Sequence, residues 1–121
     1  LDGVSISLPA VTRSLKLQKR AAKEGFDWKK PEDTLKKVKE ELNELTFEMK
    51  ANNKKKIREE LGDLLFSCIN LSRKLGIDTE TVIRESNRKF EKRFKKMEKK
   101  MNKKSLKWEL KNLEKEWQNS K

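Results

Sequence analysis

The sequence predicts an all-α protein, a bundle of about five helices, and three observations carry that prediction. Lys, Glu, Leu and Arg, all good helix formers, dominate a chain that has no Tyr and only two Pro. Apolar residues recur three and four apart along most of its length, the period of one helix face. Proline and glycine fall where helices start and stop rather than inside them.

The elements follow in order. Leu8 to Glu24 reads as a first helix, with Pro9 near its start and Gly25 just past its end. Phe26, Asp27 and Trp28 form a short aromatic connection. A second helix runs from Pro31 to about Lys50, where Leu35, Val38, Leu42, Leu45 and Met49 share a face, and Asn52-Asn53 breaks it. A third runs from about Lys54 to Leu75 on a stripe of Ile57, Leu61, Leu64, Cys68, Leu71 and Leu75, with Gly76 as its stop. A fourth extends from Thr79, behind Asp78 as a cap, to about Met101. A fifth is expected from Ser105 to about Gln118. Nothing reads as a strand or a linker, and 121 residues fit one domain spanning residues 1–121.

The hydrophobic fraction is 33% and the charged fraction 43%, so a core forms only if the apolar residues are gathered into stripes. The net charge of +12 is uneven: Arg88 to Lys107 holds eleven Lys or Arg against Glu91 and Glu98. Such a segment suits an anionic partner, although a solvated basic helix face is the plainer reading. Cys68 is the single cysteine, which excludes an internal disulfide, and its apolar neighbours predict a buried thiol. No apolar stretch approaches the roughly 18 residues of a membrane span, and no signal peptide is visible. The expected setting is therefore cytoplasmic and reducing, with no membrane partner.

One pattern rises above composition. Lys37 to Leu45 reads KVKEELNEL and Lys56 to Leu64 reads KIREELGDL, in register when shifted by 19 residues. Glu41 corresponds to Glu60, Glu44 to Asp63 and Lys37 to Lys56. The two segments sit on consecutive helices joined by a short loop, so they should pack antiparallel. Within each helix the paired carboxylates are three apart on one face, flanking the leucine stripe. Antiparallel pairing can bring all four together. Four carboxylates at close range repel and raise one another's pKa unless a cation joins them. The chain has no His, which excludes the Glu-x-x-His di-iron pattern and histidine-bound zinc. All-oxygen ligation favours Mg²⁺ or Mn²⁺. The plainer alternative is ordinary salt bridging of these acids to nearby lysines.

With these residues in view, the sequence resembles the MazG nucleotide pyrophosphohydrolases. Glu40-Glu41-x-x-Glu44 followed by Glu60-x-x-Asp63 looks like their signature. Leu8-Pro9-Ala10, Ala21-Ala22, Gly25-Phe26-Asp27-Trp28, Gly62 to Phe66, Asn70-Leu71, Asn87 to Phe94 and the late Glu116-Trp117 also read like the family. The resemblance implies an all-α dimer that uses Mg²⁺ to hydrolyse nucleoside triphosphates to the monophosphate and pyrophosphate. It implies that Glu41, Glu44, Glu60 and Asp63 hold the metal. It further implies that Lys37, Lys56, Ile57, Arg58, Glu59, Lys89 and Arg93 lie around the nucleotide and that Trp117 stacks on the base. Full-length members often carry two such domains.

Glu40, or one of the ligands, is expected to take the proton of the attacking water, although its helical angle turns Glu40 away from the leucine seam. Lys89 and Arg93, four apart, share a face suited to phosphate. Trp117 reads equally as an apolar anchor for the last helix, and Trp28 as structural. The rival function is a basic helical nucleic-acid-binding protein without catalysis, with residues 88–107 as its surface. A second rival, a non-catalytic helical assembly module, leaves the acidic repeat unexplained.

Overall fold

The computed structural model describes all 121 residues and contains five helices and no strand. They are α1 (Ala10–Lys23), α2 (Pro31–Ala51), α3 (Lys54–Lys74), α4 (Thr79–Lys103) and α5 (Leu110–Asn119). The all-α prediction holds. The chain forms two compact units, Leu1–Thr79 and Glu80–Lys121.

Four helix ends share one stop. After each helix a residue in left-handed conformation turns the chain: Gly25 at φ 89°, Asn52 at 53°, Gly76 at 69° and Ser105 at 53°. The next amide then reaches back five residues, from Phe26 to Ala21 at 3.0 Å, Asn53 to Glu48 at 3.3 Å, Ile77 to Ser72 at 2.9 Å and Leu106 to Met101 at 3.0 Å. Asn52 and Asn53 divide the labour of a two-residue connection. Asn52 ends α2, and the Asn53 side chain accepts the Lys56 amide at 3.2 Å to begin α3.

Ser105 corrects the sequence reading. It was expected to open the fifth helix but instead terminates α4, and α5 starts five residues later at Leu110. The charged stretch continues as helix to Lys103 because its Lys and Glu residues are good helix formers.

In the first unit α2 and α3 form a hairpin and α1 packs on α3. Its interior is polar. Gln18, Thr34, Glu41, Ser67 and Asn70 are buried, whereas Leu42 and Leu61 on the expected leucine seam are 50% and 45% exposed. Val38, Leu45, Ile57, Leu64 and Leu71 are half-buried. Cys68 is exposed, contrary to the buried thiol expected. The reason is shared: α1 covers the acidic side of the hairpin, and nothing in the unit covers the far side. The aromatic connection is tied to the end of α3 by Asp27, which accepts from Arg73 at 2.5 Å and pairs with Lys74 at 3.3 Å. The Arg73 guanidinium holds the Asp27 carboxyl below its ordinary range.

In the second unit Met97 and Met101 form the buried apolar centre. Two cations of α4 and Lys104 just past its end dock α5. Arg93 donates twice to the Trp117 carbonyl, at 3.0 and 2.7 Å, and its guanidinium lies 3.8 Å from the centre of that ring. Lys100 donates to the Asn119 carbonyl at 2.8 Å, and Lys104 meets the buried Glu116 carboxylate at 2.7 Å. Cations at these final carbonyls complement the negative end of α5.

Ser105→Gly should stabilise the chain by about 0.5–1 kcal/mol, because glycine adopts the left-handed conformation without a Cβ penalty. A thermal melt checks this, and a lowered Tm would contradict the assignment of Ser105 as a strained stop.

Candidate metal centre

The sequence builds the site by placing one face of α2 against one face of α3. Thr34 and Glu41 are seven apart on α2, and Glu60 and Ser67 are seven apart on α3, so each pair lies along one helical line. The carboxylates of Glu41, Glu60 and Asp63 each offer an oxygen within 4.8 Å of the others. Glu44 belongs to the same charge system, since it hydrogen-bonds with Glu60 and raises its pKa. Glu41 is the deepest, 5% exposed; Glu60 is half-buried and Asp63 is open to solvent.

The electrostatics are those of a site short of positive charge. Desolvation, then the hydrogen bond and charge of Glu44, then the charges of Glu41 and Asp63, push Glu60 up to about 7. Burial also works to raise Glu41, but the Lys37 ammonium at 3.0 Å, with hydrogen bonding from Glu44 and Glu60, holds it below its ordinary value. Lys37 is raised in turn, chiefly by its hydrogen bond to Glu41. Buried oxygens of Glu41 and Glu60 (Oε2 in each) have no hydrogen-bond partner. Unpartnered carboxylate oxygens converging from two helices form an oxygen-only cage that suits a hard divalent cation.

The remaining predicted residues fall into four groups. Lys37 joins the cluster directly. Glu40 points to solvent, as its helical angle predicts, and pairs with Lys37 at 3.4 Å beside an open groove of about 610 Å³. Lys56, Arg58 and Glu59 lie exposed on the opening turns of α3, with Lys56 and Glu59 paired at 3.9 Å. Lys89, Arg93 and Trp117 belong to the second unit, where Lys89 is exposed and Arg93 holds Trp117.

Sequence reasoning missed the cavity beside the cluster. It measures about 510 Å³ and is walled by α1, α2, α3 and the aromatic connection, with Glu41 and Asp63 at its edge. Gln18, Thr34, Ser67 and Asn70 line it, and so does Trp28, which the sequence assigned a structural role. The available signal was the seven-residue spacing of small polar residues in line with the acids.

Paired carboxylates on adjoining helices, with a cavity alongside, define a class: all-α proteins that build a metal centre from helix faces. Comparison with known proteins narrows this. Residues 29–98 match the MazG nucleotide pyrophosphohydrolase domain. The chain is 42% identical over 83 residues to the nucleoside triphosphate pyrophosphohydrolase/pyrophosphatase MazG of Thermotoga maritima, covering 69% of this chain and 31% of that protein. It is 39% identical over 94 residues to the nucleoside triphosphate pyrophosphohydrolase of Escherichia coli K12, covering 76% of this chain and 36% of that protein. The chain belongs to the MazG nucleotide pyrophosphohydrolase domain family. It spans about a third of the length of these relatives.

The raised Glu60 pKa sets a pH dependence. Between its ordinary 4.5 and about 7 the folded chain keeps a proton that the unfolded chain has lost. That contribution is fully present below pH 4.5 and fades as pH rises through 7. Metal-free protein should therefore lose stability across this window relative to Glu60→Gln, which has no proton to lose. Thermal melts in chelator at stepped pH check the sign, and a Tm difference that stays constant from pH 4.5 to 8 would contradict it.

Proposed function

We propose that this chain is a magnesium-dependent nucleoside triphosphate pyrophosphohydrolase, releasing nucleoside monophosphate and pyrophosphate, and that residues 1–121 act as one MazG-like domain. The observation that carries this reading is the converging set of Glu41, Glu60 and Asp63, with buried oxygens lacking partners, on a scaffold of this family. The names of the relatives point the same way.

Glu41, Glu44, Glu60 and Asp63 are the proposed ligands, and Mg²⁺ is the cation favoured by an oxygen-only set, with Mn²⁺ next. When bound, the cation neutralises phosphate oxygens and makes the phosphorus under attack more electrophilic. Lys37 then exchanges its carboxylate partners for a phosphate oxygen. Glu40, solvent-facing and adjacent to Glu41, is the proposed acceptor of the water proton. Lys56, Arg58, Glu59, Lys89, Arg93 and Trp117 are assigned to the nucleotide by their positions in the family pattern. The thiol of Cys68, exposed with no second cysteine in the chain, suits a reducing cytoplasm.

A homodimer is part of this reading. Leu35, Leu42, Phe47, Leu61, Leu65 and Phe66 on α2 and α3 are all more than 40% exposed. Apolar side chains concentrated on one hairpin are the mark of an interface. Light scattering should give twice the chain mass of 14.4 kDa, and Leu65→Arg should reduce it to one copy. A wild-type chain of single mass would overturn the dimer.

The decisive assay is product release from a panel of nucleoside triphosphates with and without Mg²⁺, resolving pyrophosphate from orthophosphate. Pyrophosphate is expected only with metal, and Asp63→Ala should lower the rate by at least about 100-fold with helicity retained. A folded, metal-loaded chain that turns over no nucleotide would defeat the proposal. It would then favour the second reading, nucleic-acid binding through residues 88–107, whose signature is a steep loss of affinity with salt.

A further inference from the structure

The cations of α4 divide into those that the fold uses and those that it leaves free. Arg93 and Lys100 hold the end of α5, while Arg84 pairs with Glu80 at 3.0 Å and Lys95 with Glu91 at 2.9 Å. Arg88, Lys92, Lys96, Lys99 and Lys103 are exposed and take part in no ion pair. Their spacing of four, four, three and four residues holds them within about 80° of arc along one line of the helix. At a rise of 1.5 Å per residue that line is about 22 Å long. No acid interrupts it. Glu91 and Glu98 lie together on one flank, where both act on Lys95, raising it above its ordinary pKa chiefly through the Glu91 hydrogen bond.

A basic helix face that only keeps a protein soluble is built differently. Opposite charges three and four apart support a helix, whereas like charges at those spacings oppose it. Every step along this line sets cation beside cation. Lys103, in the last turn, complements the negative end of the helix, but the other four lie too far back to do so. A polyanion laid along the line relieves all of these contacts together. The second unit also holds most of the excess charge: residues 80–121 contain 15 Lys or Arg against 7 Asp or Glu, so +8 of the net +12 sits there.

The composition of the face selects among polyanions. The aromatics of α4 lie on its opposite side, where Phe90 meets Trp117 at 5.2 Å and Phe94 meets Trp108 at 6.3 Å. A face without apolar side chains does not sink into a membrane surface as an amphipathic helix does. Without aromatic platforms it does not stack unpaired bases either. A regular row of phosphates is what remains. A duplex strand rises about 3.4 Å per phosphate, so about six or seven pass along such a line, close to one for each cation. The major groove of B-form DNA, about 12 Å wide, admits a helix, whereas that of A-form RNA is deep and narrow.

We propose that Arg88, Lys92, Lys96, Lys99 and Lys103 form a docking line for double-stranded DNA, held by phosphate contacts and indifferent to base sequence. The line is independent of catalysis. Lys89 and Arg93, assigned to the nucleotide, are not part of it, and none of its five residues belongs to the proposed machinery, so one chain can carry both activities.

Fluorescence anisotropy of the full chain with a labelled duplex of about 20 base pairs, at stepped salt, reads affinity and the number of phosphates neutralised. Five contacts give an expected slope of log affinity against log salt of about −4.5. Lys92→Gln/Lys96→Gln/Lys99→Gln keeps good helix formers in place and should reduce the slope to about −2, with affinity at least about tenfold lower at low salt. Lys96→Gln alone should reduce it by about one, which keeps the line testable if the triple variant unfolds. Lys107→Gln/Lys111→Gln/Lys115→Gln removes the same charge from exposed positions off the line and should leave the slope within about one of wild type. Equal weakening by the two triple variants would show that net charge alone attracts DNA and would overturn the proposal. So would a wild-type chain that binds no duplex at low salt, or one that prefers duplex RNA or phosphatidylserine vesicles to DNA. Because no turnover is read, failure of the hydrolase assay leaves this result untouched, and the reverse holds as well.

Discussion

Everything in the first unit is arranged around like charges that have been partly removed from water. Glu41 is nearly buried, Glu60 sits beside it, and Asp63 and Glu44 complete a group that a single nearby ammonium, Lys37, does not neutralise. The chain meets that deficit by keeping a proton on Glu60 and letting Lys37 lie against Glu41. Both are makeshift arrangements, since a proton and a lysine can each be displaced by a cation of higher charge. A cation placed among these carboxylates would relieve the same repulsion that raises Glu60.

That constraint explains why the interior of this unit is polar. A helix face carrying Glu41 at one turn and Thr34 two turns earlier cannot also present a leucine core, and the same holds for Glu60 and Ser67 on α3. The leucines are displaced to the other side of the hairpin, where the unit leaves them half-exposed. A more stable chain would bury the leucines and solvate the acids. Function and stability pull in opposite directions here, as they do where a site needs groups that folding alone would not choose.

Much of this was legible in the sequence because it rests on local periodicity. The five helices, the Asn52-Asn53 break, the glycine stops and the register of the two acidic repeats all follow from spacing along the chain. The Ser105 stop did not, because a serine in left-handed conformation looks like a helix cap until its backbone is seen. Nor did the sense of the hairpin. A leucine stripe and an adjacent acidic line are equally regular, and only the position of α1 decides which is covered. The cavity was hidden for the same reason: Gln18 and Asn70 are 52 residues apart (70 − 18) and meet only through packing. Arg93 shows the converse. Its spacing from Lys89 suggested a phosphate grip, whereas within its own unit the guanidinium is committed to the end of α5.

An acidic site for a polyanionic substrate would be self-defeating in an acidic protein. Under the proposed reading triphosphate and carboxylates would repel, and a cation between them would reconcile the two. The chain's net charge of +12 answers this at long range. A positive field over the surface raises the local concentration of anions and their encounter rate, and it does so without committing any one lysine to a contact. Some basic residues of α4 and the turn after it are used internally, at the Trp117 and Asn119 carbonyls and at Glu116; others, such as Lys92, Lys96 and Lys99, stay exposed. The excess of lysine serves this field whether or not the line on α4 also meets DNA. Under the proposed reading it is the background against which the carboxylates would serve an anionic substrate, separating attraction, which is diffuse, from coordination, which would be local to α2 and α3.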